Sequence, residues 1–338
     1  MASYPRWFVG LIVGMAMAIA AAPVAAEQEK VQLGMRLEPG QTFRFRMLNE
    51  QRVERSLPRR KMTTQQSIGW GWTMKVLGVD EKGNAEVKIT YHWVRVTQKS
   101  EMGSYVYDSD RHDPDKPVIP EVTGFVGMLG ESFIVTFDPA GRALAVRSHE
   151  EMVEEVLDRA DVPDGETRDE QAERLKTKIN EAQVKNTLSL IAAIYPNQPV
   201  GVGDHWKRKS TSHMGFTKII DSTYSVTGRK AGMMTVAVDS AISTPEDVDP
   251  MQDAAARETV EMKGMQKGSM QINESTGMLM DMRMTQSSAG IHTIRMAEMP
   301  EPIVLPMQFT ATVRFALEDV ILAEMKAASE AARTQPAR

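Results

Sequence analysis

Three stretches of this chain carry side chains of the kind that do chemistry. His149-Glu-Glu-Met-Val153 begins as a zinc-protease helix begins, with a histidine and a glutamate. A zinc ion on a helix needs a second imidazole one turn on, and Val153 stands there instead. Glu150 and Glu151 are better read as acids favoured by the dipole at a helix start. Asp108, Asp110, His112, Asp113 and Asp115 crowd one loop, where oxygens for a hard cation could gather. Yet the spacing lacks the glycine and the distal glutamate of a calcium loop, and Pro114 and Pro117 interrupt it. Asp204-His205, beside Trp206, is the pair an enzyme of unfamiliar type would use first. At a strand start, such a pair more often closes a turn.

The remaining signatures of catalysis are absent. No Gly-x-Ser-x-Gly, phosphate loop or dinucleotide fingerprint occurs. The other histidines are scattered; His92 and His292 fall within strands, where structural roles are commoner than ligation. Carboxylate pairs for glycoside chemistry depend on which strands meet, which sequence alone does not show. The reading is of a non-enzyme that needs no cofactor and no metal.

Methionine is the compositional oddity. Seven of the chain's 25 methionines fall between Met262 and Met284, and Met278, Met280, Met282 and Met284 share one strand face. Methionine fills irregular apolar space, so the plain reading is a core in which it replaces leucine. The sharper reading is an adaptable groove for an acyl chain or a hydrophobic segment. Its candidate lining is Trp70, Trp72, Leu188, Ile191, Met262, Met280 and Met282.

Elements that would position such a groove are legible along the chain. Phe43, Phe45 and Met47 alternate with arginines as a half-buried strand after the Pro39-Gly40 turn. Ile68, Trp70, Trp72, Met74 and Val76 mark an apolar face whose opposite side carries Gly69 and Gly71. Glycines behind tryptophans predict strong curvature or the close approach of another element. Ala85 to Trp93 then pairs as a hairpin across Asp80–Asn84. Glu121 to Gly130 reads as a short helix, and Phe133 to Val146 as a second hairpin.

The stretch from Ser148 to Tyr195 is the one long run with helical grammar. Ser148 with Glu151 and Thr167 with Glu170 fit capping boxes, with the turn Asp161–Gly165 between them. Leu188 to Tyr195 is apolar almost all round, which predicts burial on most sides, and Pro196 stops it. After it the first pattern returns, with Val202-Gly-Asp-His-Trp206 standing where Pro39-Gly-Gln-Thr-Phe43 stood. Strand, hairpin, polar insertion and glycine-bearing hairpin follow in the same order, and a last strand runs through Met307 to Leu317. Consistent order across these elements reads as an internal duplication by pattern.

The first 26 residues have a single charge, Arg6, an apolar run from Trp7 to Ala22, and the small-residue exit Val24-Ala-Ala26. That describes a secretory signal peptide with cleavage expected between Ala26 and Glu27, since the run is short for roughly 30 Å of hydrocarbon. Removing it leaves a net charge of −6, which argues against a sequence-independent grip on nucleic acid. No later segment reads as membrane-spanning. The chain has no cysteine, so no disulfide helps and burial alone must hold the fold.

Leu37-Glu-Pro-Gly-Gln41, Tyr105-Val-Tyr-Asp-Ser109, Phe137-Asp-Pro-Ala-Gly-Arg142 and Val202-Gly-Asp-His-Trp206, behind a signal peptide, resemble a family of bacterial envelope proteins of unknown function. The likeness covers most of the mature chain. It implies an extracytoplasmic β-rich fold and carries no catalytic residues over. In architecture alone the pattern is similar to periplasmic lipoprotein carriers, where a curved antiparallel sheet wraps around helices. The expected fold is α+β, mostly antiparallel β. Two similar curved β-halves, residues 27–147 and 197–327, flank central helices at 148–196, with a frayed tail at 328–338. The leading function is a periplasmic or secreted protein holding lipid or an acyl chain between sheet and helices. A structural module that meets another envelope protein, and an enzyme of unrecognised type, are the alternatives.

Overall fold

The computed structural model describes residues 29–57, 60–101, 103–113, 115–159, 168–169, 172–173, 181, 184–185, 188, 194–212, 217–245, 251–252, 256–296 and 301–334. The signal sequence and Ile191 lie outside them. Alternating apolar residues give strands and the expected hairpins pair them. β1 (Thr42–Leu57), β2 (Arg60–Val79), β3 (Ala85–Ser100), β4 (Gly103–Asp108), β5 (Ser132–Phe137) and β6 (Ala143–Arg147) form the first half. β7 (His205–Ser212), β8 (Lys218–Lys230), β9 (Met233–Ser243), β10 (Met251–Gln252), β11 (Ala256–Asn273), β12 (Leu279–Met296) and β13 (Ile303–Leu317) follow. The helices described in full are α1 (Thr123–Val126), α2 (His149–Arg159) and α3 (Glu318–Thr334).

These strands build one open, curved, 13-stranded antiparallel sheet in the order β6-β5-β3-β2-β1-β13-β12-β11-β9-β8-β7, with β4 beside β3 and β10 beside β11. Each half is a five-strand meander read in the same direction, and β13 joins the last strand of the second to the first strand of the first. The main path therefore ends at β6 and β7, the two strands that the Ser148–Tyr195 stretch connects. The fold is α+β and mostly antiparallel β.

One face, here called inner, carries the apolar rows. Phe45, Trp72 and Tyr91 lie on neighbouring strands, as do Met47, Trp70 and Val94. Three apolar clusters form on this face. The first-half cluster contains Phe45, Val76, Val87, Val135 and Phe315, with Met152 and Val156 of α2, and Val184 and Leu188 packed on it. The second-half cluster contains Trp206, Tyr224, Val236, Met270 and Met284, with Ile194 and Tyr195. A third, of Val94, Val96, Tyr107 and Val122, has Trp70 and Phe125 against it.

Residues 31–37 act as a strap across one end of the sheet. Val31 bridges Val200 near β7, Met35 N–H donates to the Pro139 carbonyl (2.8 Å), and Arg36 N–H donates to the Thr276 carbonyl (2.9 Å). Leu33, Met35 and Leu37 bury inward. Tyr195 fixes the same end by donating its hydroxyl to the Gly277 carbonyl (2.8 Å).

On the outer face Gly69 and Gly71 make room for Trp93, which is wholly buried. A Cβ on Gly69 would sit 2.5 Å from the Trp93 ring, and one on Gly71 would sit 2.8 Å from its Cβ. Of the two expectations for these glycines, close approach by a neighbouring strand is what the fold uses here.

Two sequence expectations differ from the structure. The chain from Glu318 to Thr334 is α3, where the reading continued the second β-half to 327 and placed a frayed tail from 328. Ile321 is wholly buried, and Glu318 and Glu324, each three residues from it, pair with strand arginines, so tertiary contacts rather than a long apolar stripe hold this helix. Helix α2 begins as expected, but Ser148 has a φ of 61°, not the extended backbone usual for a capping serine.

Because the Trp93 ring has no slack, Gly69→Ala is expected to lower stability by roughly 1–3 kcal/mol through overpacking. Gly78→Ala, at a site with nothing within 4 Å, is expected to change it by less than about 0.5 kcal/mol. Urea denaturation of both variants checks the pair.

Candidate functional site

The inner face collects half-buried apolar side chains that local packing does not finish covering. Trp72 and Tyr91 come from the first half, Met280 and Met282 from β12, and Leu317 from β13, all around the buried Phe45 and Phe315. Alternation puts the methionines of β12 inward, as the Met stripe predicts. Phe45 stacks on Phe315 at 4.9 Å between ring centroids, and Trp72 leans on Phe315 at 5.8 Å. Leu188 packs on the same cluster from the central stretch.

Of the seven sequence candidates, Trp72, Leu188, Met280 and Met282 thus come together. Trp70 sits one row away, under the α1 turn, with Phe125 at 5.6 Å and Tyr91 at 5.4 Å. Met262 is buried further along β11, outside the three clusters. Ile191 falls outside the described residues.

Register also reveals a polar row that the sequence reading missed. Cross-strand pairing aligns Tyr105, Gln98, Gln66, Gln51, Ala311, Gln286, Gln266, Ser240, Ser222 and Arg208 from β4 to β7. Strand alternation turns this row inward, above the apolar rows. Tyr105 donates to Gln98 (3.2 Å), and the Ser222 and Ser240 hydroxyls share a hydrogen bond at 2.8 Å. One row below, Asn49 Oδ1 and Trp206 Nε1 are buried without a hydrogen-bond partner among the described residues. The five glutamines are far apart in sequence, and nothing short of the register itself would have aligned them.

The most perturbed titratable cluster lies on the outer face. Glu318 accepts from Arg44 Nε (2.5 Å), Arg46 Nε (2.9 Å) and His92 Nε2 (2.9 Å). Burial alone would raise the Glu318 carboxyl, but these donors outweigh it and hold it at about 2. Burial lowers His92, against the pull of Glu318. Arg46 lies over the Trp93 ring, 4.3 Å from its centroid, and pairs with Asp110 at 2.9 Å. Trp93 in turn donates to Asp108 (3.0 Å). Two aspartates of the acidic loop are thereby taken up in holding Trp93 and Arg46 on the outer face. Among the described residues no His, Asp and Glu side chains gather as a metal site.

Asp204 is likewise occupied. It accepts from the Gly201 N–H (2.8 Å) and pairs with Lys30 at 3.0 Å, which lowers its carboxyl, while His205 next to it is exposed. Among the described residues, no helix is long and apolar enough to cross a membrane.

A family model described as a family of unknown function, DUF6263, matches residues 82–279, more than half of the chain. The chain belongs to that family. No curated protein matches it. Among solved structures, a chain titled "Lipid-protein interactions in lipovitellin" is similar at 13% identity and a TM-score of 0.42. The match covers 83% of this chain and 25% of that one, so this chain spans about a quarter of its length.

The Glu318 cluster sets a pH dependence. A carboxyl lowered on folding stabilises the fold above its ordinary value of 4.5, and that contribution disappears as pH falls toward about 2. Arg44 is half-exposed and screened, so the buried Arg46 carries most of the effect. Glu318→Gln is expected to cost about 2 kcal/mol at neutral pH. The difference from wild type should shrink below pH 4.5, as followed by urea melts across pH.

Proposed function

We propose that this protein is exported to the cell envelope by the signal peptide read in residues 1–26, and there holds a lipid or an acyl chain against the inner face of its sheet. One observation carries the reading. Trp72, Met280, Met282, Leu317 and Leu188 converge on the inner face and remain partly open to water. Burying apolar surface is worth roughly 25 cal/mol per Å², so a soluble chain that leaves such a patch unfinished favours an apolar occupant. Methionine suits a floor that must fit chains of varied shape. The glutamine row crosses the inner face on one side of this floor and the strap lies on the other.

Native mass spectrometry after mild extraction is expected to show bound lipid, and a brominated fatty acid is expected to quench tryptophan fluorescence. Trp72→Phe should remove much of that quenching. A protein that carries no lipid and takes up no fatty acid would overturn the reading in favour of a module that meets another envelope protein. Leu188→Ala separates floor from core. A fully buried leucine costs roughly 2–5 kcal/mol on such truncation. Leu188 is only half-buried, so the variant should lose about 1 kcal/mol while fatty-acid uptake weakens.

A further inference from the structure

We infer that the ligand is an anionic amphiphile whose charged head sits in a basic cavity at the gap between the two edges of the sheet. This rests on the proposed acyl-binding role of the inner face and adds the chemistry of the head group. The cavity measures about 860 Å³ and is bounded by the strap, the β5–β6 turn, Tyr195–Asn197 and β7. That volume suits a small-molecule site. Residues from both sides of the gap line it, so the curved sheet brings its two ends to one opening.

Its cations are Arg36, Arg142, Arg208 and Lys209, and among the described residues no carboxylate lines it. Arg142 pairs with Asp138 at 2.6 Å. The other three form no ion pair among the described residues. Arg36 donates to the Gln32 carbonyl, and Arg208 donates to the Tyr195 carbonyl (2.9 Å) and to Asn197 Oδ1 (2.6 Å). Such neutral acceptors orient a guanidinium and leave its charge uncompensated. In a chain of net charge −5, three cations that form no ion pair among the described residues, around one opening, favour an incoming anion. Guanidinium forks suit phosphate or carboxylate oxygens, and Lys209 adds a point charge. Leu33 and Tyr195 line the cavity and also belong to the second-half apolar cluster. A head group held here therefore has apolar surface beside it for its chain.

The test uses dodecyl phosphate below its micellar concentration, dodecanol as the uncharged match, and inorganic phosphate, each titrated calorimetrically into the full chain. Dodecyl phosphate is expected to bind about 10-fold more tightly than dodecanol, as charge-assisted hydrogen bonds would give. The preference should shrink as salt is raised. Arg36→Gln combined with Lys209→Gln, both exposed positions, should abolish the preference and leave dodecanol binding unchanged. Arg208→Lys, which keeps the charge, should retain it.

Equal binding of the two amphiphiles by wild type would overturn this inference and leave the acyl-binding reading standing. A double variant that kept the preference would overturn it too. Inorganic phosphate binding as tightly as dodecyl phosphate would assign the cavity to a free anion instead. Binding of neither amphiphile would remove the acyl-binding reading itself.

Discussion

An open antiparallel sheet has one face to bury and two edges to protect, and here the chain between those edges meets both demands. The stretch from Ser148 to Tyr195 leaves β6 at one end of the sheet and enters β7 at the other. Its described residues Met152, Val156, Val184, Leu188, Ile194 and Tyr195 bury apolar surface on the inner face. The strap then ties the two ends together, bonding near β7 at Val200 and at the β5–β6 turn at Pro139. The edges need little else. β6 has five residues, and β7 carries Lys207, Arg208 and Lys209, which discourage pairing with a foreign strand.

The two faces of the sheet are closed by different physics. Outside, α3 is held by ion pairs. Glu318 reaches Arg44 and Arg46, and Glu324 reaches Arg314 at 2.9 Å and Arg283, around the buried Ile321. Such contacts fix direction and depend on charge. Inside, closure is apolar and non-directional, resting on methionines and aromatics that tolerate a change of neighbour. A face closed by directional bonds is a support. One closed by adaptable apolar contact can admit something else, so the inner face is where a ligand fits.

Much of this architecture was readable because period-2 alternation is a local signal. The Trp70/Trp72 strand, the Met280/Met282 strand and the glycine-bearing hairpins all lie where alternation puts them. Gly69 and Gly71 announced a close approach, though only the register of β2 with β3 names Trp93 as the neighbour. Other features depend on distant partners. Val320, Ile321 and Leu322 are consecutive, so α3 shows no clean helical stripe, and its binding side is set by arginines on β1 and β13. Leu33, Met35 and Leu37 alternate like a strand, yet they cap one end of the sheet. Trp70 and Trp72 share a strand face but divide between clusters because the α1 turn covers only one of them.

The glutamine row shows why the candidate site is harder to read than the fold. Gln51, Gln66, Gln98, Gln266 and Gln286 are ordinary polar residues of long strands, and each alone would read as solvent-facing. Aligned on the inner face, they interrupt the apolar floor along a line perpendicular to the strands, with Met262, Leu305 and Met307 buried beyond them. Along β1 that floor runs from Phe43 to Gln51, or roughly 26 Å at about 3.3 Å per residue. A compact ligand would leave most of this length empty. An extended chain can lie along it with apolar contact throughout, and the amides at the far end can both donate to and accept from an uncharged polar group. The row is neutral on β1, β2, β3, β11 and β12 and ends at Arg208 on β7, which also lines the cationic cavity, so the polar row and the cavity meet at that edge. Length and polarity together, rather than any one residue, are what the sheet offers for recognition.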